Sequence, residues 1–148
     1  MQEKILLATD GSANSRKALQ FAVEMSSRYD AQLHILHVVS TMEIPLDILE
    51  YISAEDIEDP PASVYLEKIG LKILQQSERE CRITGCENVR TAVLRGDPAD
   101  MIIEFAKEKG IDIIIVGSRG FHGIKGRLLG SDSRKVSHNA DCTCIIVK

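Results

Sequence analysis

The sequence predicts an α/β protein, an open and mainly parallel sheet with helices on both faces, and three observations lead there. Short apolar runs alternate with longer segments whose apolar residues recur at helical spacing. Two of the runs, Lys4-Ile-Leu-Leu-Ala-Thr9 and Ile111-Asp-Ile-Ile-Ile-Val116, are almost continuously hydrophobic, as strands buried on both faces are. Turn and cap residues stand at the joints: Asp10-Gly-Ser, Gly96-Asp-Pro98, Gly110 and Gly117.

Each element follows in order. Residues 4–9 form a first strand and 12–29 a helix, with Ser15, Ala18, Ala22, Met25 and Tyr29 turned inward. Residues 32–39 return to a strand, completing a βαβ unit. Residues 40–60 interrupt the alternation with Pro45, Pro60 and seven acids mixed among apolar residues. They read as a surface insertion, with a lid or partner-facing flap as the alternative. After Pro61 a long helix runs to about Thr84, with Leu66, Ile69, Ile73 and Leu74 inside and Gly85 as its stop. Residues 88–94 make a less hydrophobic strand, expected near an edge of the sheet. Asp97 caps a helix with Pro98 at its first position, Ala99, Ile102, Ile103 and Ala106 buried, and Gly110 at its end. The strand 111–116, a short helix over 131–139 and a last strand over 142–147 complete the chain.

At 148 residues and 44% hydrophobic, the chain suits one compact domain over 1–148. A formal charge of −4 argues against a general nucleic-acid binder. Seven of the acids lie within 43–59, where no Lys or Arg occurs, so the rest of the chain is net positive. No apolar run reaches the length of a membrane span and no signal-peptide pattern opens the sequence; the expectation is a cytoplasmic protein without a membrane partner. Cys81-x4-Cys86 and Cys142-x-Cys144 lack the spacing of a zinc site and read as reduced thiols. His34 and His37 are three apart in a strand and face opposite ways, so they do not chelate as a pair.

The chemistry concentrates after the fourth strand, in Gly117-Ser-Arg-Gly120-Phe-His-Gly123-Ile-Lys-Gly126-Arg-Leu-Leu-Gly130-Ser131. A buried strand breaking into a glycine-rich loop and then a helix N-terminus is a recurring phosphate cradle. Glycine admits close backbone approach, and the unpaired N–H groups of the first helical turn supply positive potential. Arg119, Lys125, Arg127 and Arg134 add basic side chains. Neither a Walker loop nor any Gly-x-Gly occurs, so the common nucleotide fingerprints do not apply. The pattern present is G-x2-G-x9-G-S, made by Gly117, Gly120, Gly130 and Ser131. No nucleophile, base and orienting group assemble into a trio, and no catalytic residue is nominated.

With Asp10-Gly-Ser, His37-Val-Val, Gly96-Asp-Pro98 and this glycine pattern, the chain resembles the universal stress proteins, and the likeness runs along its whole length. The pattern marks that family's ATP-binding branch. The resemblance implies a Rossmann-like sheet of five parallel strands in the order 3-2-1-4-5, with nucleotide lying across strands one and four. It also implies a homodimer through the C-terminal strand. Carried over, Asp10 bonds a ribose hydroxyl or helps position Mg²⁺ through the nucleotide, and the backbone of Val38 bonds adenine. Ala8 and Thr9 line the adenosine site, beside Val116. Gly117, Arg119 and Gly120 wrap the ribose and first phosphates, while Gly130, Ser131 and Ser133 bind the outer ones. ATP is the expected ligand, with AMP or ADP as alternatives.

Asp132, directly after the motif, departs from the small apolar residue common in relatives and would repel phosphate unless a cation intervenes. The leading expectation is a dimeric ATP-binding sensor or signalling module with slow hydrolysis at most. One alternative is a Mg²⁺-dependent ATPase or phosphotransferase using Asp10 and Asp132. Another is a nucleotide-independent interaction module with residues 40–60 as its docking flap.

Overall fold

The computed structural model describes residues 2–40, 61–119 and 130–148, with 61–63 described in the backbone only. The proposed flap over 40–60 (apart from Ser40), Gly120 and the middle of the glycine loop lie outside the described residues. The elements are β1 (Lys4–Ala8), α1 (Ala13–Tyr29), β2 (Gln32–Val39), α2 (Pro61–Ile83), β3 (Val89–Arg95), α3 (Pro98–Lys109), β4 (Ile113–Gly117), α4 (Ser131–Asn139) and β5 (Thr143–Val147).

All strand pairs are parallel and the sheet order is β3-β2-β1-β4-β5, as expected. The chain winds outward from β1 to β3, then returns to β1's other side as β4. The strand order therefore switches direction between β1 and β4, and a crevice opens beyond their carboxyl ends.

Side-chain alternation divides the core between two layers. Ile5 and Leu7 of β1 face α1 and α2, packing with Ala18, Leu19, Ala22, Leu33, Ile35 and Leu74. Leu6 faces the other way, toward α3 and α4, with Leu36, Ala99, Ile102, Phe105, Ile114 and Val136. Leu6, Leu7, Leu33 and Leu36 are fully buried, each stabilising the fold by about 1.5–3 kcal/mol relative to exposure.

Two inward assignments are corrected. Tyr29 is 62% exposed, because α1 ends immediately after it at Asp30 in the left-handed region, beyond the packed face. Ile69 is 37% exposed, because α2 turns Gly70, Leu74, Ser77 and Cys81 to the sheet instead. The contact line of α2 is set by small residues as well as apolar ones, which a search for hydrophobic periodicity passes over.

The end of α2 explains the first cysteine pair. Cys86 N–H donates to Cys81 O at 2.9 Å and Gly85 N–H to Arg82 O at 3.1 Å, with Gly85 at φ 80°. This is the Schellman arrangement, in which the two outer residues bring their side chains together. Here both are cysteines, and both are buried free thiols. Burial, reinforced by the neighbouring Cys86 sulfur, pushes the Cys81 thiol up to about 12. Burial also raises Cys86, Cys142 and Cys144.

At the start of α3, Asp97 accepts from Asp100 N–H at 3.0 Å, which holds its carboxyl below the ordinary range. Lys135 of α4 lies 3.3 Å from Asp97 and 2.8 Å from Asp100, linking the two helices at the surface.

The Cys81 thiol gives a pH test. A raised folded-state pKa contributes stability that is complete below the unfolded value of 9.0 and erodes as pH climbs toward about 12. The stability difference between wild type and Cys81→Ala, measured by urea titration, should therefore shrink from about pH 7.5 to about pH 10.5. A difference that stays constant would show that the thiol titrates alike in both states.

Candidate functional site

The crevice is built by three strand ends. At the first, β1 leaves the sheet through Thr9, Asp10, Gly11 and Ser12. Thr9 is buried, and its N–H donates to Leu36 O at 2.9 Å. Asp10 is half-buried; its Oδ1 accepts from Ser12 N–H at 2.9 Å, closing an Asx turn. The cap of α1 is Ser12, whose Oγ accepts from Ser15 N–H at 3.3 Å. Asp10 does not fill the cap position and stands two residues earlier, half-buried just past the carboxyl end of β1. Gly11 takes φ 78°, and a Cβ there would stand 3.1 Å from Ile73 of α2. Only glycine fits that turn.

The second end is β4 with α4. Gly117 closes the strand; a Cβ on it would stand 3.1–3.2 Å from the main chain of Asn14 and Ser15, so its smallness seats β4 against α1. Ser118 N–H donates to Val147 O at 2.8 Å, and Ser118 O accepts from Gly130 N–H at 2.7 Å. Ser133 is buried, and its Oγ donates to Gly117 O at 2.6 Å. The two ends of the glycine loop thus meet. Gly130 is the N-cap of α4 and no side chain caps it. The positive end of the helix dipole therefore stands at the close of β4 with no side-chain cap over it. Ser131 is exposed and Arg119 half-buried.

The third end is β2. Val38 is half-buried and pairs in register with Leu94 of β3. His37 Nδ1 lies 2.8 Å from Thr9 O, with its ring over Gly70 of α2. His34 faces the opposite layer, edge-on to Phe105, and burial lowers its pKa. The two histidines are separated as expected. Sequence pattern gives His37 no role of its own; its signals are its place at the carboxyl end of a buried strand and in the His37-Val-Val match.

Of the residues read from the sequence, Ala8, Thr9, Asp10, Val38, Val116, Gly117, Arg119, Gly130, Ser131 and Ser133 come to this one rim. Ala8 is paired with Val116 on one side and Leu36 on the other. Val116 is 5% exposed and its side chain packs in the core, so it can offer the rim main chain at most. The donor set suits a polyanion at the amides of α4 and a hydroxyl or cation at Asp10. Among the described residues, no group of three His, Cys, Asp or Glu converges to hold a metal ion, and no helix is long and apolar enough to cross a membrane. A groove of about 290 Å³ lies elsewhere, between α1 and the end of α2, lined by Leu19, Val23, Glu80 and Thr84. It sits toward the amino ends of the strands and shares no residue with the rim.

Known proteins agree with this architecture. A profile described as the universal stress protein family matches residues 1–148. Universal stress protein YxiE of Bacillus subtilis is 38% identical over 151 residues, covering 100% of both chains. Universal stress protein UspA of Lactobacillus plantarum superposes with a TM-score of 0.84 at 24% identity, covering 99% of this chain and 97% of its own, and shows the same fold. A universal stress protein solved in complex with cAMP superposes with a TM-score of 0.70 at 25% identity, covering 99% of this chain and 96% of that one. The chain belongs to the universal stress protein family.

Proposed function

We propose that this member of the family binds an adenine nucleotide, ATP foremost, in the crevice between β1 and β4, and acts as a dimeric sensor or signalling module in the cytoplasm. The observation that carries the reading is the start of α4. A helix N-terminus without a side-chain cap, begun by a glycine and held against the end of β4, is an anion site by construction. The cAMP bound by a related protein of the same fold supports an adenosine phosphate as the anion.

In this reading Ser131 N–H takes the outer phosphates, while Gly130 and Ser133, whose own protons go to Ser118 O and Gly117 O, hold that turn against the end of β4. Gly117, Arg119 and Gly120 wrap the ribose and first phosphate. Asp10 accepts from a ribose hydroxyl or holds Mg²⁺ through the nucleotide, since its carboxylate suits both. Ala8, Thr9 and the main chain of Val116 form the wall, and the main chain of Val38 meets the base. Bound Mg²⁺ would neutralise phosphate charge, including the repulsion from Asp132. In this reading phosphate transfer to water is slow, since the sequence carries no Walker lysine to serve the outer phosphates.

The outer edge of β5 supports the dimer in this reading. Ser118 N–H donating to Val147 O fixes the alternation along β5 and turns the main-chain groups of Cys144 and Ile146 outward. An outer strand with unpaired groups is a template for a second copy.

Four experiments test these statements. Titration calorimetry should find affinity rising from AMP to ATP. Gly130→Val, whose Cβ would stand 3.2 Å from Ser118 O, should lose at least about tenfold in ATP affinity with an unchanged far-UV spectrum, as the added side chain pushes the first turn of α4 off the end of β4. Undiminished affinity would move the phosphates elsewhere. In a single-turnover assay, labelled ATP should persist for minutes, and release within seconds would favour the phosphotransferase reading. Ile146→Pro removes an outward donor while sparing the β4 ladder; it should convert a sedimenting dimer to a monomer, and an unaltered dimer would place the interface off β5.

A further inference from the structure

The ladder between β1 and β2 stops one rung early, and a side chain takes the missing partner's place. Thr9 N–H donates to Leu36 O, so the main-chain groups of Thr9 and Val38 face each other across the pair. The next rung of a parallel ladder would join Val38 N–H to Thr9 O. That bond is not formed; the register ends at Ala8 opposite Leu36. His37 Nδ1 stands 2.8 Å from Thr9 O instead. A carbonyl only accepts, so Nδ1 carries the proton and donates. The ring needs room on the α2 side, and Gly70 supplies it: a Cβ at Gly70 would stand 2.6 Å from His37 Cδ2 and 3.2 Å from Nε2.

We infer that His37 is a positioning residue: by occupying the Thr9 carbonyl it keeps the N–H and C=O of Val38 out of the sheet and turned to the crevice, as a donor–acceptor pair for the edge of a purine base. A six-membered ring edge with an acceptor nitrogen beside an amino group, as in adenine, matches that pair; a lactam edge such as that of hypoxanthine does not. An apolar residue at 37 leaves Thr9 O in want of a donor, and the nearest is Val38 N–H. The rung then closes, since a buried carbonyl left without a donor forfeits its hydration and gains nothing in return. Gly70 on α2 is part of the same device, because any side chain there displaces the ring.

The binding part of this inference rests on the nucleotide reading above; the ladder part does not. Amide exchange of the nitrogen-15-labelled, nucleotide-free chain by NMR tests the ladder. Val38 N–H should exchange at least about tenfold faster than the ladder amide of Leu36, and a protected Val38 amide in the wild type overturns the inference outright. In His37→Leu the Val38 amide should become protected by at least about tenfold, AMP affinity should fall about fivefold to tenfold, and the preference for AMP over IMP should narrow. His37→Asn, whose Nδ2–H reaches where Nδ1–H stood, should restore all three. Gly70→Ala should behave as His37→Leu does without touching the histidine. Unchanged exchange at Val38 in well-folded His37→Leu would contradict the proposal. A wild type that binds no AMP while its Val38 amide exchanges fast would defeat the nucleotide reading and leave the ladder assignment standing.

Discussion

Two hydrogen bonds fasten the start of α4 to the end of β4, and the proposed site depends on them. Gly130 N–H to Ser118 O and Ser133 Oγ to Gly117 O tie the two ends of the glycine loop together across a long excursion of chain. Helix dipoles act within the first turn, so the amides of α4 help an anion only if that turn is held at the crevice. The strand is anchored in turn by its neighbours: β1 on one side, β5 on the other, and the first turn of α1 against Gly117. Small residues at these contacts let the main chain come close.

The same economy recurs at the other two strand ends. Gly11 lets β1 turn under Ile73, and Gly70 admits the His37 ring that holds Thr9. Helix α2, although far from the start of α4, therefore shapes the β1–β2 end of the rim through two contacts. Exposed ion pairs such as Lys135 with Asp97 and Asp100 add orientation more than stability, because solvent screens them.

Much of the fold is legible in the order of the amino acids. Continuous apolar runs identify β1 and β4, and Asp97-Pro98 and Gly110 mark both ends of α3 correctly because capping chemistry is local. Gly117, Gly130 and Ser131 of the glycine pattern mark the two chain ends that meet at the close of β4 and the start of α4, while Gly120 lies outside the described residues. The strand order comes from family resemblance, because periodicity carries no information on which strands are neighbours. Ile69 and Tyr29 mislead because helical spacing cannot say where a helix stops packing or which small residue faces the sheet. The role of His37 is hidden for a related reason: a side chain replacing a ladder bond leaves no pattern in the sequence.

The central claim is that main-chain amides at the ends of β2 and β4 and at the start of α4 converge on one adenine nucleotide. Chemical-shift mapping of backbone amides during titration with ATP tests it most directly. Large, saturable shifts are predicted at Val38, Gly117, Gly130 and Ser131 together. Saturable shifts confined to Leu19, Val23 and Thr84 in the groove between α1 and α2, or no saturable shift at the rim, would contradict it.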